Sequence, residues 1–87
     1  MTNELPDSIP QKLLSGSRAT AELIREKNDR KEICGELLRA SLISQAQTLL
    51  EIEPELSPKY KSICAAEREE YKNLLDALPP FPEEVMV

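Results

Sequence analysis

The stretch Ser57-Pro58-Lys59-Tyr60-Lys61-Ser62-Ile63-Cys64-Ala65-Ala66-Glu67-Arg68-Glu69-Glu70-Tyr71-Lys72-Asn73-Leu74-Leu75-Asp76-Ala77-Leu78-Pro79-Pro80 decides the fold. A serine followed by proline is a helix start: serine suits the cap, and proline at the first helical position gives up an N–H that has no partner there anyway. At about 100° per residue, Tyr60, Ile63, Cys64, Tyr71, Leu74, Leu75 and Leu78 form one apolar stripe. Ser62, Glu69, Lys72 and Asp76 fall outside it. Pro79, Pro80 and Pro82 then forbid continuation. The spacing predicts an amphipathic helix over 58–78, followed by a Pro-rich extended tail, 79–87.

Working back, Pro54 closes a preceding segment, because the residue before a proline is biased out of the helical region. That segment, 30–52, carries Cys34, Leu38, Leu42, Leu49 and Ile52 on one face, flanked by Ile33, Leu37, Ile43 and Leu50. Ala40, Ser41, Ser44 and Ala46 in its middle are small enough to admit a close helix crossing. Gly35 either marks a close contact or weakens the first turn. Arg25 to Glu32 is a continuous polar run, and Asp29 precedes Glu32 by three, so a new helix cap is expected at Asp29.

Further back, Leu13, Leu14, Ala21, Leu23 and Ile24 lie opposite Arg18, Glu22, Arg25 and Glu26, which predicts a helix over 9–27. Ser8 and Gln11 have the spacing of a capping box, with Pro10 in the first turn. Residues 1–8 read as a flexible leader. The expectation is an all-α domain over 9–78: a small bundle or open array of three amphipathic helices with extended termini.

The junction Leu49-Leu50-Glu51-Ile52-Glu53-Pro54, followed by Ser57-Pro58-Lys59-Tyr60 and Ile63, resembles the boundary between two tetratricopeptide repeats. It departs from that pattern at Cys64, where the repeat wants a small glycine-like residue, and at Glu67, where it wants an aromatic. No second copy follows at the repeat's ~34-residue period. A general helix–turn–helix junction accounts for the same residues.

Composition narrows function more than any motif does. The chain has 87 residues and a net charge of −5, with its 11 Lys and Arg scattered, which disfavours nucleic acid and anionic membrane as partners. There is no histidine, and the two cysteines are thirty residues apart, so neither a zinc site nor a disulfide framework is expected. The acidic groups Glu51, Glu53, Glu55 and Glu67, Glu69, Glu70 lack calcium-loop spacing and have no accompanying nucleophile. No catalytic, cofactor or metal residues are predicted. With no membrane-length apolar run and no secretory leader pattern, a cytoplasmic setting is expected.

A chain this small, with no tryptophan and only Tyr60, Tyr71 and Phe81 as aromatics, has a thin core. It is expected to complete that core against another protein chain, identical or different, as a non-catalytic adaptor, chaperone-like protein or complex subunit. Leu38, Leu42, Glu67, Tyr71, Leu74 and Phe81 are the predicted contact residues. Glu67 is singled out because a carboxylate interrupts the apolar stripe; it should reach the rim, pair with Arg39 or Lys31, or meet a partner's cation. The alternative is a small acidic inhibitor, antitoxin-like, blocking a basic site on another protein. The tail holds a Pro79-x-x-Pro82 pattern, and Phe81 is expected either to fold back on the bundle or to be free.

Overall fold

A computed structural model describes residues 4–79. Along them run α1 (Ser8–Asp29), α2 (Glu36–Ile52), a single 3-10 turn (Glu53–Glu55) and α3 (Pro58–Ala77). Each helix packs on the other two, giving an all-α three-helix bundle with no strand among the described residues.

The start of α3 follows from its sequence, with Ser57 extended at the cap and Pro58 opening the helix. The Ser57 hydroxyl does not cap, however; it donates to Asp7 Oδ1 at 3.3 Å. The start of α1 differs as well. Asp7 occupies the cap position, and the expected Ser8–Gln11 box does not form, because Gln11 Nε2 donates to the Tyr60 hydroxyl at 2.8 Å. The described part of the expected leader is docked rather than loose. Leu5 packs on the core, and its N–H donates to the Glu55 carbonyl at 2.7 Å.

The α1–α2 break exists, but not where Asp29 and Glu32 place it. Asp29 is the last residue of α1, and α2 begins at Glu36 instead of residue 30. Lys31 sits at φ 59°, in the left-handed region. Its N–H donates to the Asn28 carbonyl at 3.0 Å, and the Glu32 N–H donates to the Lys27 carbonyl at 2.8 Å. That pair of bonds is a Schellman closure, which normally uses glycine at the left-handed position. Glu32 to Gly35 then bridge to α2, with Gly35 as its N-cap and open space where a Cβ would stand. Cys34 therefore lies in the connection and not on α2, although it is buried.

The core is a seam of alternating four- and three-residue steps, the spacing of side chains that interlock along nearly antiparallel helices. In α1 it runs Pro10, Leu14, Ser17, Ala21, Ile24, all buried. In α3 it runs Tyr60, Cys64, Glu67, Tyr71, Leu74, Leu78. Leu42 and Leu49 of α2 and Leu56 of the following turn fill the space between. Fully burying a side chain of this kind stabilises by roughly 1.5–3 kcal/mol before entropy is counted. Of the small residues in the middle of α2, Ala46 packs against the core, whereas Ala40, Ser41 and Ser44 are exposed.

Candidate functional site

α2 and α3 each carry a second seam beside the one that fills the core. On α2 it is Arg39, Ile43, Ala46, Leu50; on α3 it is Arg68, Lys72, Leu75. The steps are again four and three, so each row lies on one flank of its helix. Between the two rows runs a groove of about 360 Å³, with the ring of Tyr71 and the side chain of Leu75 in its wall. Ile43 is 57% exposed and Leu50 45% exposed, so the α2 side of the groove presents aliphatic surface directly to water. Two large aliphatic side chains two turns apart on one flank are what a helix offers to a neighbouring helix.

The polar side chains of the groove are disposed differently at its two ends. Arg68 is bound to Glu53 of the 3-10 turn, while its Nε is buried without a partner. Lys72 has no acidic partner among the described residues. At the other end, Arg39 ties two segments together. Its Nε donates to the Cys34 carbonyl at 3.3 Å, and its guanidinium Nη2 donates to the Pro79 carbonyl at 2.6 Å. The end of α3 is thereby held against the first turn of α2.

The predicted contact residues divide among several places. Leu42 is wholly buried inside this chain and has no surface left for a partner, which corrects its assignment to a docking face, while Tyr71 is buried beneath the groove that it helps to line. Leu38 and Leu74 are half-buried against the core. Phe81 lies outside the described residues. Ile43 and Leu50, read from the sequence only as flanking residues, form the exposed row. Leu37, at 85% exposed, is more open still but does not line the groove.

Glu67 is paired inside the bundle, but with neither Arg39 nor Lys31. Its carboxylate accepts from Arg18 of α1 at 3.0 Å, and its side chain keeps only 16% exposure. That hydrogen bond raises the Arg18 pKa, against a smaller opposing effect of desolvation. Arg25 and Glu70 approach to 3.8 Å along the same edge of the α1–α3 interface. Cys34 and Cys64 are both free and buried, and burial pushes the Cys64 thiol up, away from the reactive thiolate. No three His, Cys, Asp or Glu side chains converge to hold a metal among the described residues. None of the described helices is long and apolar enough to cross a membrane.

Comparison of the chain with protein-family models, with curated proteins and with solved structures finds no match.

Proposed function

We propose that this protein is a non-catalytic helical interaction module, and that its α2–α3 groove receives an apolar helix from a partner chain. The observation that carries the reading is the second seam: Ile43 and Leu50 stand exposed on one wall of a groove whose other wall holds Leu75. A helix laid there would turn the three-helix bundle into a four-helix one, using the same interlocking spacing as the existing core. Lys72 and Asp76 both line the groove, so an incoming helix that sets a carboxylate by the first and a cation by the second fits it. The two buried thiols are at home in a reducing cytoplasm. The same apolar lining weighs against the acidic-inhibitor alternative, in which surface charge would supply most of the binding.

The test is native mass spectrometry of the complex isolated from the protein's own cells, with wild type beside Ile43→Asp and Leu50→Asp. Both positions are exposed in the isolated bundle, so helicity should be retained while the partner chain is lost. A complex that persists in ~0.5 M salt fits apolar docking, since exposed charge pairs are screened there. Retention of the partner by both aspartate variants would refute the groove as its site.

A further inference from the structure

We infer that the helix received by the α2–α3 groove is α2 of a second copy of this chain, running antiparallel to the first; the inference rests on the interaction-module reading above and names its partner.

The row that faces the groove is its own complement. Along α2 and into the 3-10 turn it reads Arg39, Ile43, Ala46, Leu50, Glu53, in steps of four and three, so all of them lie on one flank. Arg39 and Glu53 stand equally far from Ala46, one on either side. Read from its other end, the row gives acid, aliphatic, small, aliphatic, base. A twofold axis through Ala46, perpendicular to α2, therefore sets Arg39 opposite Glu53 of the second copy, Ile43 opposite its Leu50, and the two Ala46 methyls against each other. A parallel pairing would bring Arg39 to Arg39 and Glu53 to Glu53. Alanine at the crossing lets the two helix axes approach to about 8 Å, the near end of the usual spacing.

Both charged ends of the row belong to the groove. Glu53 is bound to Arg68, which lines it, and Arg39 is fixed at the opposite end by the Cys34 and Pro79 carbonyls. Neither is exhausted by these bonds: Arg39 keeps its Nη1, and Glu53 accepts through Oε1 and keeps Oε2. The α3 wall obeys the same symmetry. Asp76 lines the groove one turn before Pro79, at the Arg39 end, and Arg68 lines it at the Glu53 end. Each end of the paired grooves thus gathers Arg39 and Asp76 from one chain with Glu53 and Arg68 from the other, so cations and carboxylates balance. Lys72 falls midway between Arg68 and Asp76 and is exposed; Gln47 of the second copy, next to the axis, offers it an amide oxygen. Between the charged ends, Ile43 at 57% and Leu50 at 45% exposure leave water on both chains at once.

Sedimentation equilibrium of the purified full-length chain, with no other protein present, should show a monomer–dimer equilibrium. Ile43→Asp and Leu50→Asp should each raise its dissociation constant by at least about tenfold while helical circular dichroism is unchanged. Orientation is read by crosslinking. Cys34 and Cys64 are buried, so mild oxidation of an equal mixture of Ile43→Cys and Leu50→Cys chains should join unlike chains in excess of random pairing. A chain that stays monomeric as concentration rises overturns the proposal. So does a dimer indifferent to both aspartates, or crosslinking that favours like chains, which would mean a parallel pair. Capture from cells is read separately. A different protein held through Ile43 and Leu50 by a chain that is monomeric when pure leaves the interaction module standing and removes the second copy. A groove-dependent dimer beside capture indifferent to both aspartates keeps the second copy and removes the outside partner.

Discussion

Ser17 Oγ and the Tyr71 hydroxyl lie 2.7 Å apart across the buried α1–α3 contact. Ser17 also donates to the Leu14 carbonyl at 3.2 Å. A serine has one proton to give, so the arrangement that satisfies both hydroxyls has Tyr71 donating to Ser17 and Ser17 donating to Leu14. Ser17 is buried without remainder, and Tyr71 is 1% exposed, so neither hydroxyl has water as an alternative partner.

The two ends of this relay should therefore respond unequally to truncation. Tyr71→Phe removes the donor but leaves Ser17 bonded to Leu14, and should cost about 0.5–1.5 kcal/mol. Ser17→Ala leaves a buried phenol without its acceptor and should cost about 1–3 kcal/mol. In the double variant no orphaned hydroxyl remains, so its cost should be less than the sum of the two. Urea denaturation of the four proteins measures the cycle, and additive losses would show that the bond contributes nothing.

Tyr71 also makes stability depend on alkaline pH. Burial pushes its pKa up from 10.0 to about 12; the nearby Glu67 carboxylate adds to this, and the Ser17 hydroxyl opposes it. The unfolded chain loses this proton first, so the stabilisation is complete below about pH 10 and is lost as pH rises through about 12. Tyr71→Phe has no such proton. The stability difference between wild type and Tyr71→Phe should be flat from neutrality to about pH 10 and then shift steadily against wild type. A difference that stays flat throughout would mean the phenol ionises freely in the folded state.

Lys31 offers a stabilising change. It holds a left-handed backbone at φ 59°, which costs a non-glycine residue roughly 1 kcal/mol, and its N–H is already used in closing α1. Lys31→Gly should raise stability by several tenths of a kcal/mol, the relief of strain being partly offset by the greater freedom of glycine in the unfolded chain. Thermal melting followed by circular dichroism reads it. A loss of stability would mean that the lysine side chain contributes more than its backbone costs.

The Glu67–Arg18 pair should matter less than its seam position implies. Arg18 keeps 54% of its side chain in water, so the pair is largely solvent-screened. Glu67→Gln should cost less than about 1 kcal/mol. Glu67→Leu, which continues the apolar seam from Cys64 to Tyr71, should be neutral or stabilising. If Glu67→Gln instead costs several kcal/mol, the pair is far less hydrated than its exposure indicates. Chemical denaturation at two salt concentrations settles the point, since a screened pair weakens as salt rises.

Much of this architecture is legible in the chain's own periodicity. The stripe from Tyr60 to Leu78, bounded by Pro58 and Pro79, determines α3, and Pro54 determines where α2 must stop, because proline chemistry acts on the backbone wherever it occurs. The interruption at Glu67 marks a carboxylate that must pair or reach the rim, but not that Arg18 is its partner. Three other features were decided only by the tertiary structure. The end of α1 rests on Lys31 adopting a left-handed φ, which any residue can do at modest cost, so no residue type announces it. Ser17 is buried because Tyr71 crosses at its level and supplies a hydrogen bond, whereas on the helical wheel it is one more polar residue. Leu42 and Ile43 are equally apolar neighbours, yet one is wholly buried and the other more than half exposed. Periodicity gives the angle between their side chains around α2. Which angle meets another helix and which meets water depends on where α1 and α3 dock, and that is a balance summed over all three helices.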